Sequence, residues 1–447
     1  MAKVTGIDIY KLLPKTNCGD CNLPTCMAFA MQVAAKKASL DQCPHVSDEA
    51  QVALGDAQAP PMRTVKIGSG QKELAIGGET VLFRHEEKFH HPTGVAVRIL
   101  AGSDDAEIGA RLDAISKLHF VRVGEEIGVN FITIDGEGTD ADRFGAVLER
   151  IHTGCDLPLI LLHEDAETLR STLDDIAAER PLIGPATTAT WEGFAEVAAE
   201  KKVPVLVRSD SLEGLATLAQ SLKDKGVEDL VLEPMADEWL GVLTQLTLLR
   251  RLSLEKVFRP LGYPTCTTAS GKTLNDQSLA AGMAVCRYAG IVITDAVAPE
   301  EILPILTVRQ NIYTDPTVPN AIEAKLYEIG NPGPDAPVIL TTNFALTYFT
   351  VAGEVENSKV PAFISVFDTE GLGVLNAYAD DKLVTEEIVK SVNAQGVMNR
   401  VSHNKLIIPG LVAVLRMDIE EESGWEVIVG PEDAAGIPHF LKTEWGG

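Results

Sequence analysis

The chain has 447 residues, 45% of them hydrophobic and 5% aromatic, with a formal net charge of −26. That length allows two or three domains with sizeable cores, and the abundance of Ala, Val, Leu and Ile suits buried parallel strands under helices. The acidity sets nucleic acid aside as a partner; no signal-peptide pattern opens the chain and no apolar run reaches the roughly 18 residues of a membrane span, so a cytoplasmic protein with no membrane partner is expected.

The first element is a cysteine cluster. Of seven cysteines, Cys18, Cys21, Cys26 and Cys43 crowd near the start in the pattern Cys-x2-Cys-x4-Cys followed by a later fourth. Nothing suggests the oxidising compartment that a disulfide framework needs, so clustered thiols point to metal. Three thiolates can wrap one face of a [4Fe–4S] cluster if the chain loops back to supply the fourth. The return path is a predicted helix over 25–40, with Cys26 at its start, where the helix dipole favours a thiolate. Pro44 directly follows Cys43, as in bacterial ferredoxin loops. Zinc is the rival metal, but zinc ribbons show two Cys-x2-Cys knuckles and here the second is missing. His45 reads as a surface residue, because four thiolates already fill the site.

A Pro-rich break at 59–61 ends the cluster domain, assigned 1–58. Residues 59–92 read as a linker and hairpin segment, whose glycines lack the Lys-Ser/Thr pair of a phosphate loop. From 93 to 325 short apolar runs alternate with helical stretches. The runs are 95–100, 129–134, 159–162, 182–183, 205–207, 230–232, 259–263 and 291–293. Their count and spacing fit a TIM (β/α)8 barrel, with a doubly wound sheet as the alternative. Asp135, His163, Glu164, Asp210, Glu233 and Asp295 follow strands; they would line the barrel mouth or cap the next helices. Cys155, Cys266 and Cys286 stand singly and read as core residues.

The C-terminal segment, 326–447, reads as a separate α/β domain. Strands are expected at 338–341, 362–367, 374–379, 405–408, 412–415 and 426–429, with a helix at 385–393. Polar turns at 341–343, 368–373 and 430–434 would gather at one edge of a parallel sheet, where small residues and free N–H groups admit a large flat or anionic ligand. Taken alone, Gly371-x-Gly373 is a weak signal, since a dinucleotide fingerprint needs a third glycine. The threonines could equally reflect β-propensity.

The motifs CGDCNLPTCMAFA, DQCPHVSD, RQNIYTDP, TTNFALTY and GWEVIVGP together resemble the large, or gamma, subunit of the corrinoid iron–sulfur protein of the acetyl-CoA pathway, over the whole chain. The resemblance implies a methyl carrier. A cobamide on the C-terminal domain, as Co(I), accepts a methyl group from methyltetrahydrofolate through a separate methyltransferase. It delivers the methyl to the nickel site of acetyl-CoA synthase, and the [4Fe–4S] cluster reactivates Co(II). Implied partners are a small barrel subunit in a heterodimer, the methyltransferase, acetyl-CoA synthase/CO dehydrogenase, and a reductive activator or ferredoxin-type donor. Whether such a carrier component counts as an enzyme stays open. The Asp-x-His-x-x-Gly motif that supplies an axial histidine is missing, which fits a base-off cobamide; His403 and His439 have other flanks. Carried onto this chain, the cobamide residues are Thr341, Thr347, Gly371, Leu372, Gly373, Val374 and Ala434. The alternative is an iron–sulfur electron-transfer or folate-dependent methyltransferase enzyme, with its site at Asp135, Asp210 and Glu233. For the carrier, segments 59–61 and 330–335 are expected to act as hinges.

Overall fold

The computed structural model describes residues 6–21, 23–34, 42–47, 60–236, 238–269, 271 and 273–445. The chain divides into two compact units. One comprises Met1–His119 and Gly128–Tyr313, the other Phe120–Ile127 and Thr314–Gly447. The second unit thus begins before the expected boundary at 326 and draws in a short segment from the middle of the chain.

In the first unit, helices Gly6–Leu12 and Cys26–Ala34 pack around Ile9, Leu13, Phe29, Val33 and Val46. The rest of the helix expected over 25–40 lies outside the described residues, as does Ala59 of the expected hinge. Pro60 is held through its carbonyl by Arg259.

The barrel follows. Strands β1 (Thr64–Ile67) and β2 (Leu74–Gly77) form an antiparallel hairpin. Next come β3 (Gly94–Leu100), then a second hairpin of β4 (His119–Arg122) and β5 (Glu125–Gly128). The series continues through β6 (Phe131–Asp135), β7 (Leu159–Leu162), β8 (Leu182–Ala186), β9 (Val205–Ser209), β10 (Leu230–Pro234), β11 (Cys266–Thr268) and β12 (Ile291–Thr294). Eight of these strands form one parallel sheet in the order β10-β9-β8-β7-β6-β3-β12-β11. A parallel bridge between Leu232 and Thr265 brings the two ends together, with the Leu232 N–H donating to the Pro264 carbonyl at 2.9 Å. The result is a (β/α)8 barrel. Inward residues Ala96, Phe131, Ile160, Leu182, Leu206, Val231 and Ile291 form its core with Val65, Ile67 and Ile76 of the first hairpin. That hairpin therefore fills the amino-terminal end. The expected strand at 259–263 is instead a 3-10 turn, Arg259–Leu261, and the true strand is β11. Pro260 cannot donate to a ladder, which fits the turn. Several post-strand acids cap helices: Asp104, Asp140 and Asp165 each accept a backbone N–H of the following turn.

The second unit holds a five-stranded sheet: β13 (Leu326–Ile329), β14 (Val338–Thr342), β15 (Ala362–Phe367), β16 (Lys405–Ile408) and β17 (Glu426–Val429). Its order is β13-β15-β14-β16-β17, with β13 antiparallel and the rest parallel. After β14 the chain turns to one side to make β15, then returns to the other side to make β16. The carboxyl ends of β14 and β16 are thus a topological switch point, where open α/β sheets bind ligands. Two expected strands are corrected: 374–379 is a helix (Val374–Ala379), and 412–415 lies in the 3-10 segment Gly410–Leu415. Both follow a turn glycine and pack Val374, Ala377 and Val412 inward, so apolar content there marks a buried turn rather than a ladder. Segment 330–335 joins β13 to β14 within one sheet, so it is not an interdomain hinge. The chain passes between units at 119/120, 127/128 and 313/314. The tip of the β4–β5 hairpin belongs to the second unit, where Gly124, at φ +73°, lies against the ring of Phe349. No described helix is long and apolar enough to cross a membrane.

Candidate functional site

Three places gather the chemistry singled out in the sequence. The first is the cysteine loop. Cys26 and Cys43 are buried in the small core with Phe29 and Val33, Cys21 packs against it, and Cys18 is exposed. Thr25 caps the helix that Cys26 begins, its Oγ1 accepting from the Ala28 N–H at 3.1 Å. Asn17 binds Cys26 twice: Asn17 Oδ1 accepts from the Cys26 N–H at 2.8 Å, and the Asn17 N–H donates to Cys26 Sγ at 3.4 Å. His45 pairs with Asp20 at 2.6 Å. That hydrogen bond, and a second with Cys18, hold the Asp20 carboxyl below the usual carboxylate range. A tetrahedral zinc with Zn–S bonds of about 2.3 Å would hold its sulfurs about 3.8 Å apart. Among the described residues only Cys18, Asp20 and His45 bring three ligand atoms within 4.8 Å of one another.

The second place is the switch point of the second unit. A cavity of about 110 Å³ opens there, lined by apolar side chains from the ends of β14, β16 and β17. Of the seven residues carried over, Thr341, Thr347, Val374 and Ala434 line it. Gly373 sits beside it: a Cβ there would meet Thr347 Oγ1 at 3.6 Å. Gly371 and Leu372 do not line it. Gly371 turns the chain at φ +78°, where a Cβ would meet Pro319 Cβ at 2.6 Å, and the Leu372 carbonyl accepts from Thr369 Oγ1. Thr341 is 2% exposed, and its hydroxyl has no hydrogen-bond partner among the described residues. A buried hydroxyl left unpaired costs about 1–3 kcal/mol. A ligand with a polar edge would remove that cost. Leu411 lines the cavity and is exposed, and Leu346, Leu375 and Val414, in the segments that follow the strands of this sheet, are exposed as well.

One residue of this site had no sequence signal beyond its place in a polar turn. Asn343, 5% exposed, accepts on Oδ1 from the Thr369 N–H and the Gly371 N–H, each at 3.0 Å. Its Nδ2 donates to Asp368 at 2.8 Å. Asn343 thereby fixes the whole 368–373 turn to the end of β14. No histidine lines the cavity among the described residues. His403 lies just before β16, at the opposite end of that strand, where its Nε2 faces the Ala336 carbonyl and its ring meets Trp445; His439 is exposed.

The third place is the barrel mouth, a cavity of about 450 Å³. Asp135, His163, Glu164 and Glu233 reach it; Asp210 is exposed and outside its lining. Sequence reasoning missed the two arginines that join them. Glu233, 1% exposed, is held by Arg208 at 2.8 Å and by the Thr268 hydroxyl at 3.1 Å. Arg98 grips Asp295 with two bonds, at 2.7 and 2.8 Å, and reaches Asp135 at 3.3 Å. His163 donates from Nε2 to the Thr139 carbonyl and accepts the Asp165 N–H on Nδ1, so both ring nitrogens hold a turn together. Among the lone cysteines, Cys266 is fully buried on β11, and burial, then the Glu233 carboxylate, push its thiol well above the ordinary range. Cys286 departs from the expected core placement and is exposed at a helix end.

Comparison with known proteins narrows what these places mean. A family described as "CO dehydrogenase/acetyl-CoA synthase delta subunit" matches residues 64–441, and one described as "Putative Fe-S cluster" matches residues 13–45. The corrinoid/iron-sulfur protein large subunit of Moorella thermoacetica is 42% identical over 98% of this chain and 99% of its own. The acetyl-CoA decarbonylase/synthase complex subunit gamma of Methanopyrus kandleri is 33% identical over 99% of this chain and 98% of its own. A dihydropteroate synthase from Yersinia pestis superposes distantly, at TM-score 0.38 and 16% identity over 49% of this chain and 94% of its own. With full-length identity of this order, the chain belongs to the family of corrinoid/iron–sulfur protein large subunits and acetyl-CoA decarbonylase/synthase gamma subunits.

Proposed function

We propose that this chain is the methyl-carrying subunit of an acetyl-CoA-forming system, with a cobamide at the switch point of its second unit and a [4Fe–4S] cluster on Cys18, Cys21, Cys26 and Cys43. The observation that carries the reading is the buried, unpartnered Thr341 hydroxyl at an apolar cavity beside the polar turns. When bound, the cobamide supplies a cobalt nucleophile that takes up and passes on a methyl group, and the cluster supplies the electron that restores it after oxidation.

The chain's own residues do the holding. The cavity of about 110 Å³, with Leu411 in its lining, and the exposed Leu346 and Leu375 would offer apolar surface to hold the cobamide. Thr341 and Thr347 offer hydroxyls to its amide or nucleotide edge. Asn343 keeps Gly371, Leu372 and Gly373 in a fixed turn, so that the backbone can approach closely without reordering. Among the described residues no histidine lines the cavity, so its hydroxyls and turn backbone, rather than an imidazole, would hold the ligand.

Family membership supports the remaining assignments: a small barrel subunit as heterodimer partner, a methyltetrahydrofolate methyltransferase as donor, acetyl-CoA synthase/CO dehydrogenase as acceptor, a ferredoxin-type or activator protein as reductant, and a cytoplasmic setting. The barrel-mouth alternative is weakened by its geometry. Asp135 and Glu233 are already bonded to arginines, and Asp210 stands apart. Metal analysis of anaerobically purified protein decides between them. The carrier reading expects about one cobalt and four irons per chain, with methylation only when a separate methyltransferase is added. Folate turnover by the cobalt-free chain alone would overturn it.

A further inference from the structure

We propose that Asn17, the residue directly before the first cysteine, is a positioning residue that clasps the cluster loop and tunes its electron affinity. The proposal rests on the cluster reading above. The reciprocal pair of bonds between Asn17 and Cys26 joins the two ends of the loop that carries Cys18 and Cys21. The Cys26 N–H opens a helix and has no partner within it, so an acceptor must come from elsewhere. Asn17 supplies that acceptor, and its own N–H points at the Cys26 sulfur.

The position makes two demands on its side chain. The backbone sits at φ +50°, in the left-handed region that Asn, Asp and Gly enter more readily than other residues. A short side chain must also carry an oxygen back to the Cys26 N–H. Asn and Asp meet both demands, Gly only the first. The N–H···S bond adds a separate effect. A donor at a cluster thiolate stabilises the more negative, reduced form, so hydrogen bonds to the sulfurs help set the potential. A carboxylate at position 17 would keep the clasp but add negative charge near the cluster and oppose reduction.

The test uses the full chain, purified anaerobically, as wild type, Asn17→Gly and Asn17→Asp. The readouts are the rate of iron release to a ferrous chelator and the midpoint of an EPR-monitored redox titration. Asn17→Gly is expected to release iron at least about tenfold faster, because the acceptor is gone while the backbone conformation is tolerated. Asn17→Asp is expected to keep the wild-type release rate yet resist reduction. At the wild-type midpoint its oxidised-to-reduced ratio should rise about tenfold, equivalent to about 59 mV for one electron. Release from Asn17→Gly at the wild-type rate overturns the clasp, as does an Asn17→Asp chain that loses iron as fast as Asn17→Gly, and an Asn17→Asp midpoint equal to the wild-type one overturns the tuning. A wild-type chain holding no iron removes the cluster itself, which distinguishes that failure from the failure of the clasp.

Discussion

Replacing Thr341 with valine should move stability and binding in opposite directions. The hydroxyl is buried, lines the cavity and has no partner among the described residues. Burying a hydroxyl without a hydrogen bond costs about 1–3 kcal/mol, and valine keeps nearly the same shape without that cost. The cofactor-free protein should therefore gain about 1 kcal/mol, which corresponds to a few degrees in the unfolding midpoint of a unit this size. The bound state should lose one hydrogen bond, worth about 1 kcal/mol, and so bind cobamide several-fold more weakly. Thermal or urea unfolding of the cofactor-free chain gives the first quantity, and absorption titration with a cobamide gives the second. A Thr341→Val protein that is less stable without cofactor, yet binds cobamide as tightly as wild type, would refute the reasoning: the hydroxyl would then serve the fold and not the ligand.

Three further outcomes follow from the geometry. Asn343→Leu removes an acceptor shared by two backbone N–H groups and should cost about 3 kcal/mol, with faster amide exchange across 368–373 as the local readout. Gly371→Ala places a Cβ against Pro319 at φ +78° and should destabilise the second unit by about 2 kcal/mol, measured by urea unfolding. Burial opposes ionisation of Asp295, but the Arg98 bonds override it and hold its carboxyl below the usual range. A depressed carboxyl contributes stability that is full above the unfolded value, about pH 4, and is lost as pH falls through the folded value. Asp295→Asn should thus be less stable than wild type at pH 7, with the gap closing as urea unfolding is repeated at progressively lower pH below 4.

The barrel was legible because its strands are apolar runs between turns, whatever the exact ends. β11 was not: three residues, two of them threonine, carry no run to read, and the apolar stretch just upstream drew the assignment to 259–263. At the carboxyl edge of the second unit's sheet, the threonines and glycines were singled out through motifs, and the structure places Thr341 and Thr347, but not Gly371, in the cavity lining. The role of Asn343 was not singled out, because its two N–H donors come from a loop that only the fold brings near. Arg98 and Arg208 could have been noticed. An arginine inside an otherwise apolar strand, as in GVAVRIL or VLVRS, implies a buried or mouth-facing acid to pair with, and both have one. Edge strand β13 was missed because it runs antiparallel, outside the parallel rhythm that guided the reading.

The hairpin at Phe120–Ile127 limits how this protein can be taken apart. The second unit is not a contiguous stretch of sequence, since part of it is encoded almost two hundred residues before Thr314. A fragment starting at Thr314 would leave the Phe349 ring without the Gly124 turn that covers it, on the same helix that presents Thr347 to the cavity. Gene fusions, truncations or domain swaps that cut at Thr314 would therefore carry away the carboxyl edge of the sheet without one of its supports. An interruption of the chain between β3 and β6, far from that edge in sequence, would damage it all the same.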